Sequence, residues 1–330
     1  MNFLNINRKT ITFFLSVLLS IFCLGGTLGC LPAHAVGEEH LNSWNDTEAK
    51  EAITNFVNQV ITDGVPVKDR IAVFDNDGTL WSEKPVYFPI QFELSILANH
   101  ESSVGLTTDE YIEKAHQFVY EENQVDFGVP YRELVYEPVI ELVNYLKANG
   151  FKVYICSGGD IDFVRSFSDE AYGIPPEQVI GTAVKTSFDG EFGGNVTRDT
   201  GFLAGMVDHE QLAQYNDQEG KPVGIQNHIG KRPIIAVGNS SGDFEMFQYT
   251  DTGVDQSLIV LINHDDCVRE YKYNDDPTSF EITDYDLVLD NESLYVAQNR
   301  ENWIVVSMQN DFNTIFESNP SRTPPMCPKF

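Results

Sequence analysis

Three short apolar runs along this chain each stop abruptly at a polar, glycine-containing loop, and that recurrence constrains the fold more than any other feature. Ile71-Ala72-Val73-Phe74 stops at Asp75-Asn76-Asp77-Gly78-Thr79, and Phe151-Lys152-Val153-Tyr154-Ile155-Cys156 stops at Ser157-Gly158-Gly159. Pro233-Ile234-Ile235-Ala236-Val237 stops at Gly238-Asn239-Ser240-Ser241-Gly242-Asp243. Runs of this length without polar alternation are expected as strands buried on both faces. Leu258 to Ile262 and Trp303 to Val306 read as two more, and Val179-Ile180 leads into Gly181-Thr182.

The intervening segments have helical spacing. Asn45 to Thr62 places Ala52, Ile53, Phe56, Val57, Val60 and Ile61 on one face after capping residues, and Thr107-Thr108-Asp109-Glu110 opens a helix running to Glu122. Pro89 to Ala98, Pro138 to Ala148, Asp160 to Phe167 and Pro222 to Ile229 read as further helices, the second stopped by Asn149-Gly150. Strands alternating with helices predict an α/β fold, a doubly wound Rossmann-like parallel sheet entered by right-handed crossovers. Residues 85–149 lack strand signals and are expected as a helical cap inserted into a catalytic core of 36–84 and 150–330. Ser187 to Gly201, rich in Gly, Asp and Thr, predicts an exposed hairpin or loop.

In such a sheet the loops at the carboxyl ends of the strands converge on one crevice. Three of those loops carry polar residues of catalytic type. Asp75 and Asp77, separated by one residue, can aim two oxygens at one point, as Mg²⁺ requires, or divide nucleophilic and acid/base roles. The same spacing also suits a simple turn or a calcium loop. Ser157, Gly158 and Thr79 offer hydroxyls and open amides to phosphate oxygens, and Lys221 offers an ammonium that neutralises phosphoryl charge, although a lone lysine is more often a solvated surface group. Asn239 and Asp243 add oxygen ligands.

VFDNDGTLW at 73–81, YICSGG at 154–159, GKPVGIQNHIG at 220–230 and AVGNSSGD at 236–243 resemble the four motifs of the haloacid dehalogenase superfamily. The similarity is greatest to its phosphoserine-phosphatase-like branch with a helical cap, and it spans roughly residues 65–265. The resemblance implies a phosphatase passing through an aspartyl-phosphate, with Asp75 as nucleophile and Asp77 as general acid/base. It further implies that Ser157 and Lys221 bind the phosphoryl group, and that Mg²⁺ is held by Asp75, the Asp77 carbonyl, Asn239 and Asp243. Lys231 precedes the third strand too closely to fill the lysine role. The family usually has Gly-Asp where this chain has Gly238-Asn239, which predicts retained but weaker metal binding. Asp77 itself favours phosphoryl transfer over dehalogenation, because phosphate esters with poor leaving groups need an acid there.

Glu83 stands where phosphoserine phosphatases keep an acid for the substrate amine, and Arg132 could face a substrate carboxylate; both also suit surface ion pairs. Trp81, Tyr87, Phe88 and Phe92 suit either a pocket for a quaternary amine or core. The histidines show no HExxH spacing, and His228 reads as a helix residue. The leading expectation is a Mg²⁺-dependent phosphatase acting on small phosphorylated metabolites. The alternatives are a specialised phosphoserine- or phosphocholine-type phosphatase or phosphotransferase, and a non-catalytic acidic protein that binds a cation or phosphate.

Composition and the first residues set the context. Fifty Asp and Glu against 21 Lys and Arg give a net charge of −29, which disfavours nucleic acid as a partner. Arg8 and Lys9, an apolar run from Ile11 to Leu24 and Ala33-His34-Ala35 form a secretory signal pattern, with cleavage expected after Ala35 and a periplasmic or secreted location. An uncleaved membrane anchor and lipidation of Cys30 are the alternatives. Those two cations are the only charges of the segment, so its removal moves the net charge from −29 to −31. Nothing after the signal is expected to span a membrane. Of the remaining cysteines, Cys156 ends a strand and is expected as a buried thiol. Cys267 and Cys327 are the candidates for a disulfide.

Overall fold

A computed structural model describes residues 40–190, 192–253, 256–273, 292–322 and residue 327. The expected signal at 1–35, with Cys30, therefore lies outside the described residues, as does most of the proline-rich end after Arg322. Seven strands form one sheet in the order β6-β3-β2-β1-β7-β8-β9. They are β1 (Ile71–Phe74), β2 (Lys152–Asp160), β3 (Val179–Val184), β6 (Leu212–Gln214), β7 (Ile235–Gly238), β8 (Leu258–Asn263) and β9 (Trp303–Ser307). Every neighbouring pair is parallel except β3 with β6. The expected hairpin is β4 (Thr186–Phe188) against β5 (Val196–Arg198), outside the main sheet.

The apolar runs form central strands because both of their faces are covered. Ala72 and Phe74 of β1, Val153 and Ile155 of β2, and Ile235 and Val237 of β7 belong to one buried cluster. Ile71, Val73, Tyr154, Cys156 and Ala236 belong to the other, on the opposite face. The sheet is thus doubly wound. Cys156 is buried and its thiol free, pushed up to about 12 by burial.

Strand β1 sits between β2 and β7, with Val73 opposite Tyr154 on one side and Ala236 on the other. The chain leaves β1 toward β2 and β3 on one side, and returns through β7 to β8 and β9 on the other. The ends of β1 and β7 therefore flank the point where strand order reverses, the place where such sheets hold ligands.

Helices Phe88–Ala98 and Thr108–Glu121 stand between β1 and β2, the second opened by a capping box in which Thr107 and Glu110 bond each other's backbone N–H. Trp81, Phe88 and Phe92 are core rather than pocket: Trp81 packs edge-on to Phe88 at 4.7 Å and stacks on Phe167 at 4.4 Å. Helix Glu137–Ala148 corrects the expected cap boundary, because it packs against β2 as the crossover into that strand. Its buried Val139, Leu142, Val143 and Leu146 show an apolar stripe. A stripe of this kind does not say which partner it will cover. Among the described residues no helix is long and apolar enough to cross a membrane.

The loop after β8 is tied to the C-terminal segment by the Cys267–Cys327 disulfide, which closes a separation of 60 residues. Arg269 adds bonds from its guanidinium to Met308 O (2.7 Å) and Phe312 O (2.9 Å). Closing a loop of this length restricts the unfolded chain, so Cys267→Ser is expected to lower stability by about 2–4 kcal/mol. Thermal melting of the variant beside wild type, each with and without reductant, checks this; identical melting of all four samples would contradict it.

Candidate active site

The first strand loop is shaped by hydrogen bonds at both ends. Asp75 N–H donates to Val237 O at 2.9 Å, extending the sheet one residue beyond β1, and Gly78 N–H donates to Trp81 O at 2.9 Å. Gly78 has φ +75°, and a Cβ there would lie 2.2 Å from Asn239 Nδ2 and 2.9 Å from Glu83 Cδ. Only glycine allows this approach. The turn presents both Asp75 and Asp77 to a cavity of about 230 Å³, whose other walls include Glu83, Tyr87, Gly158, Gly159, Asp217 and Lys221. A larger cavity of about 620 Å³ borders the hairpin at Thr107, Asp162, Val196 and His228, without the convergent loops, so chemistry rather than volume locates the site.

Lys221 lies at the start of helix Gly220–Ile229 and is 2% exposed. Its ammonium donates to Asp75 Oδ1 and to Asp243 Oδ1, each at 2.6 Å. Burial opposes charge on Lys221, but Asp243 and Asp75 outweigh it and hold the ammonium well above its ordinary value. The second oxygen of Asp243 accepts the backbone N–H of Asn239 (3.0 Å) and of Ser240 (3.1 Å). Burial and the Asp243 charge drive the Asp75 carboxyl upward despite Lys221. Burial and Glu83 push Asp77 up to about 7, against the bond that Trp81 Nε1–H donates to Asp77 Oδ1 at 2.9 Å. Glu83, itself raised by burial, faces the Lys84 ammonium at 3.3 Å.

The expected site residues thus separate into three groups. Asp75, Asp77, Glu83, Gly158 and Lys221 line the cavity together. Thr79, Ser157, Asn239 and Asp243 sit behind it: Thr79 Oγ1–H donates to Asn239 Oδ1 at 3.2 Å, and Ser157 Oγ accepts the Gly159 N–H at 3.0 Å. Thr79 and Ser157 are fully buried and shape the loops from within. Arg132 is a correction: it lies beside Glu133 at 4.0 Å and borders a separate cavity with Tyr120 and Glu170. It follows Tyr131 in a short 3-10 turn whose buried Tyr131 and Leu134 leave the guanidinium on the outside.

Among the described residues no three His, Cys, Asp or Glu side chains converge as a ready-made metal centre. The residues present nevertheless fit a single hard cation. Asp75 and Asp243 converge on one point, and with Asp77 they place three buried carboxyls around one ammonium, an excess of acid that a cation would relieve. Asp75, the Asp77 carbonyl, Asp243 and the Asn239 amide would supply the oxygens.

Several residues were not legible as site residues. Asp217 enters the cavity wall beside Gly158 and Gly242, four positions before Lys221, in no recognisable motif. His264, Glu270 and Tyr273, from the segment that follows β8, back the first loop and Asn239. Lys221→Met would leave Asp75 and Asp243 buried without their cation and is expected to cost about 3–5 kcal/mol. Lys231→Met, at a pair with Asp69 that is 43% and 41% exposed, should change stability far less. Urea unfolding of both variants at neutral pH checks the contrast, and equal losses would contradict it.

Among solved structures, one with a distant likeness to this chain is a functionally unknown protein from Anaerococcus prevotii (15% identity, 70% of this chain and 89% of that one, TM-score 0.46). Another is a protein of unknown function from Bordetella pertussis (14%, 72% and 97%, TM-score 0.42). A third is a phosphoserine phosphohydrolase-like protein from Francisella tularensis (17%, 58% and 87%, TM-score 0.32). A search of curated proteins finds no match. The segment that builds β1, the Asp75–Thr79 loop, the intervening helices and the strands from β2 into β5 is similar to a known family: residues 70–197 match the model of the haloacid dehalogenase-like hydrolases.

Proposed function

We propose that this chain is a secreted, Mg²⁺-dependent phosphatase that hydrolyses small phosphomonoesters through a phosphoryl-Asp75 intermediate. The observation that carries the reading is the pair of carboxyls, Asp75 and Asp77, on one turn and facing one cavity, with the Lys221 ammonium 2.6 Å from Asp75.

An Asp75 oxygen attacks phosphorus, and the ester oxygen departs with the proton of Asp77, whose raised carboxyl is suited to donate near neutrality. Asp77 then takes a proton from the water that attacks the phosphoryl group, releasing phosphate and restoring Asp75. Lys221 holds Asp75 in place and opposes the charge that gathers on the phosphoryl oxygens. Gly158 and Gly159 line the cavity without side chains and leave room for those oxygens beside Lys221. When bound, Mg²⁺ supplies Lewis-acid polarisation of the phosphoryl group and offsets the surplus of buried carboxyls.

A cavity of about 230 Å³ suits a small ester. The more specialised reading, an ester whose alcohol carries an amine or quaternary ammonium, draws support from Glu83, Asp217 and Tyr87 on the same wall. The Cys267–Cys327 disulfide supports an oxidising compartment and hence export directed by the N-terminal signal pattern.

Asp75→Asn is expected to abolish phosphate release. Asp77→Asn should lower it by about 10²–10⁴-fold on alkyl esters and much less on esters with good leaving groups. Phosphate-release assays on a panel of phosphorylated metabolites, with Mg²⁺ and with chelator, check both; an inert wild type would favour the non-catalytic binding protein. N-terminal sequencing of the protein exported from its native host should begin at Val36, and a retained Met1 would refute cleavage.

A further inference from the structure

The loop that follows β8 reaches the nucleophile loop from behind, and the proposed chemistry makes no use of it. His264 is fully buried, with Nε2 2.7 Å from Gly78 O. A carbonyl only accepts, so Nε2 carries a proton and donates it. The other ring nitrogen faces Glu270 Oε2 at 3.3 Å. Glu270 is fixed in turn by Ser82 Oγ–H at 2.7 Å and by the backbone N–H of Tyr271. Tyr273 stacks on the His264 ring at 4.2 Å, and its hydroxyl lies 3.5 Å from Asn239 Nδ2. The disulfide at Cys267 and the Arg269 bonds brace the same loop.

Gly78 is consequently held at both backbone groups, its N–H by Trp81 O and its C=O by His264. It is the residue next to Asp77, and it occupies the left-handed region that lets the turn close. We infer that His264 is a positioning residue: it holds the Gly78 carbonyl so that Asp77 stays aimed into the cavity, and Glu270 and Tyr273 set the plane of its ring. The kinetic consequence rests on the proposed phosphatase reading, whereas the placement of Asp77 does not.

Trp81 offers a readout that needs no turnover, because its indole Nε1–H donates to Asp77 Oδ1 at 2.9 Å. Trp44 and Trp303, bonded at 2.8 Å to Pro138 O and Asp251 Oδ2, serve as references in the same protein. In proton–nitrogen spectra of the full chain, His264→Leu is expected to shift the Trp81 indole signal and leave the other two in place. His264→Gln, whose amide can still donate to Gly78 O, should restore the Trp81 signal toward wild type. Glu270→Gln serves if His264→Leu does not fold, and should move the same signal alone. An unmoved Trp81 signal, or three signals moving together, would overturn the inference.

The kinetic arm sharpens the distinction from a merely structural role. His264→Leu should lose on the order of 10²-fold on an alkyl phosphate, the scale of a misplaced reacting group, and under about 3-fold on an aryl ester whose leaving group needs no acid. Equal losses on both esters would overturn the positioning role. A wild type inert on every ester would refute the phosphatase reading, while the indole spectra would still decide the placement of Asp77.

Discussion

One buried ammonium organises this molecule's functional end. An isolated charge in the interior costs several kcal/mol, so Lys221 can remain 2% exposed only if its partners arrive with it. They come from two distant places: Asp75 from the end of β1, and Asp243 from the turn after β7. Asp243 is fixed by two backbone amides of that turn, and Asp75 by the sheet bond to Val237. The ion cluster therefore forms only when β1, β7 and the Lys221 helix are docked, which couples assembly of the site to closure of the central sheet.

Around that cluster the charges do not balance. Asp77 and Glu83 face the same cavity, Asp217 lies on its wall, and burial raises the carboxyls of Asp75, Asp77 and Glu83. A surplus of acid at a strand-end crevice gives a small, strongly polar pocket within a chain whose net charge is −29. A long polyanion would be repelled by such a surface, whereas a single small anion entering the cavity would meet Lys221 beside the side-chain-free Gly158 and Gly159.

Much of the fold was legible because its strands are buried on both faces and so are written as uninterrupted apolar runs. The antiparallel edge strand β6 was not, since Leu212-Ala213-Gln214 is three residues long and only Leu212 is buried. Helix Glu137–Ala148 was found but placed in the wrong layer, because helical spacing reports a face and not its partner. At the site, residues that follow strands at short spacing were readable as motifs. Thr79 and Ser157 belonged to those motifs yet turn inward, because their hydroxyls satisfy Asn239 and the Gly159 amide. Arg132 had no motif behind it and lies elsewhere. The contact from His264 to Gly78 spans 186 residues of sequence and is created by the pairing of β7 with β8. No local pattern announces it.

The central claim is that Asp75 carries the phosphoryl group during turnover, and the direct measurement is peptide mass analysis of acid-quenched reaction mixtures at saturating ester. The account predicts a phosphoryl group on the peptide containing Asp75, formed and lost at rates compatible with turnover. Phosphate release by the wild-type enzyme with the group found on no peptide, or on one lacking Asp75, would contradict it.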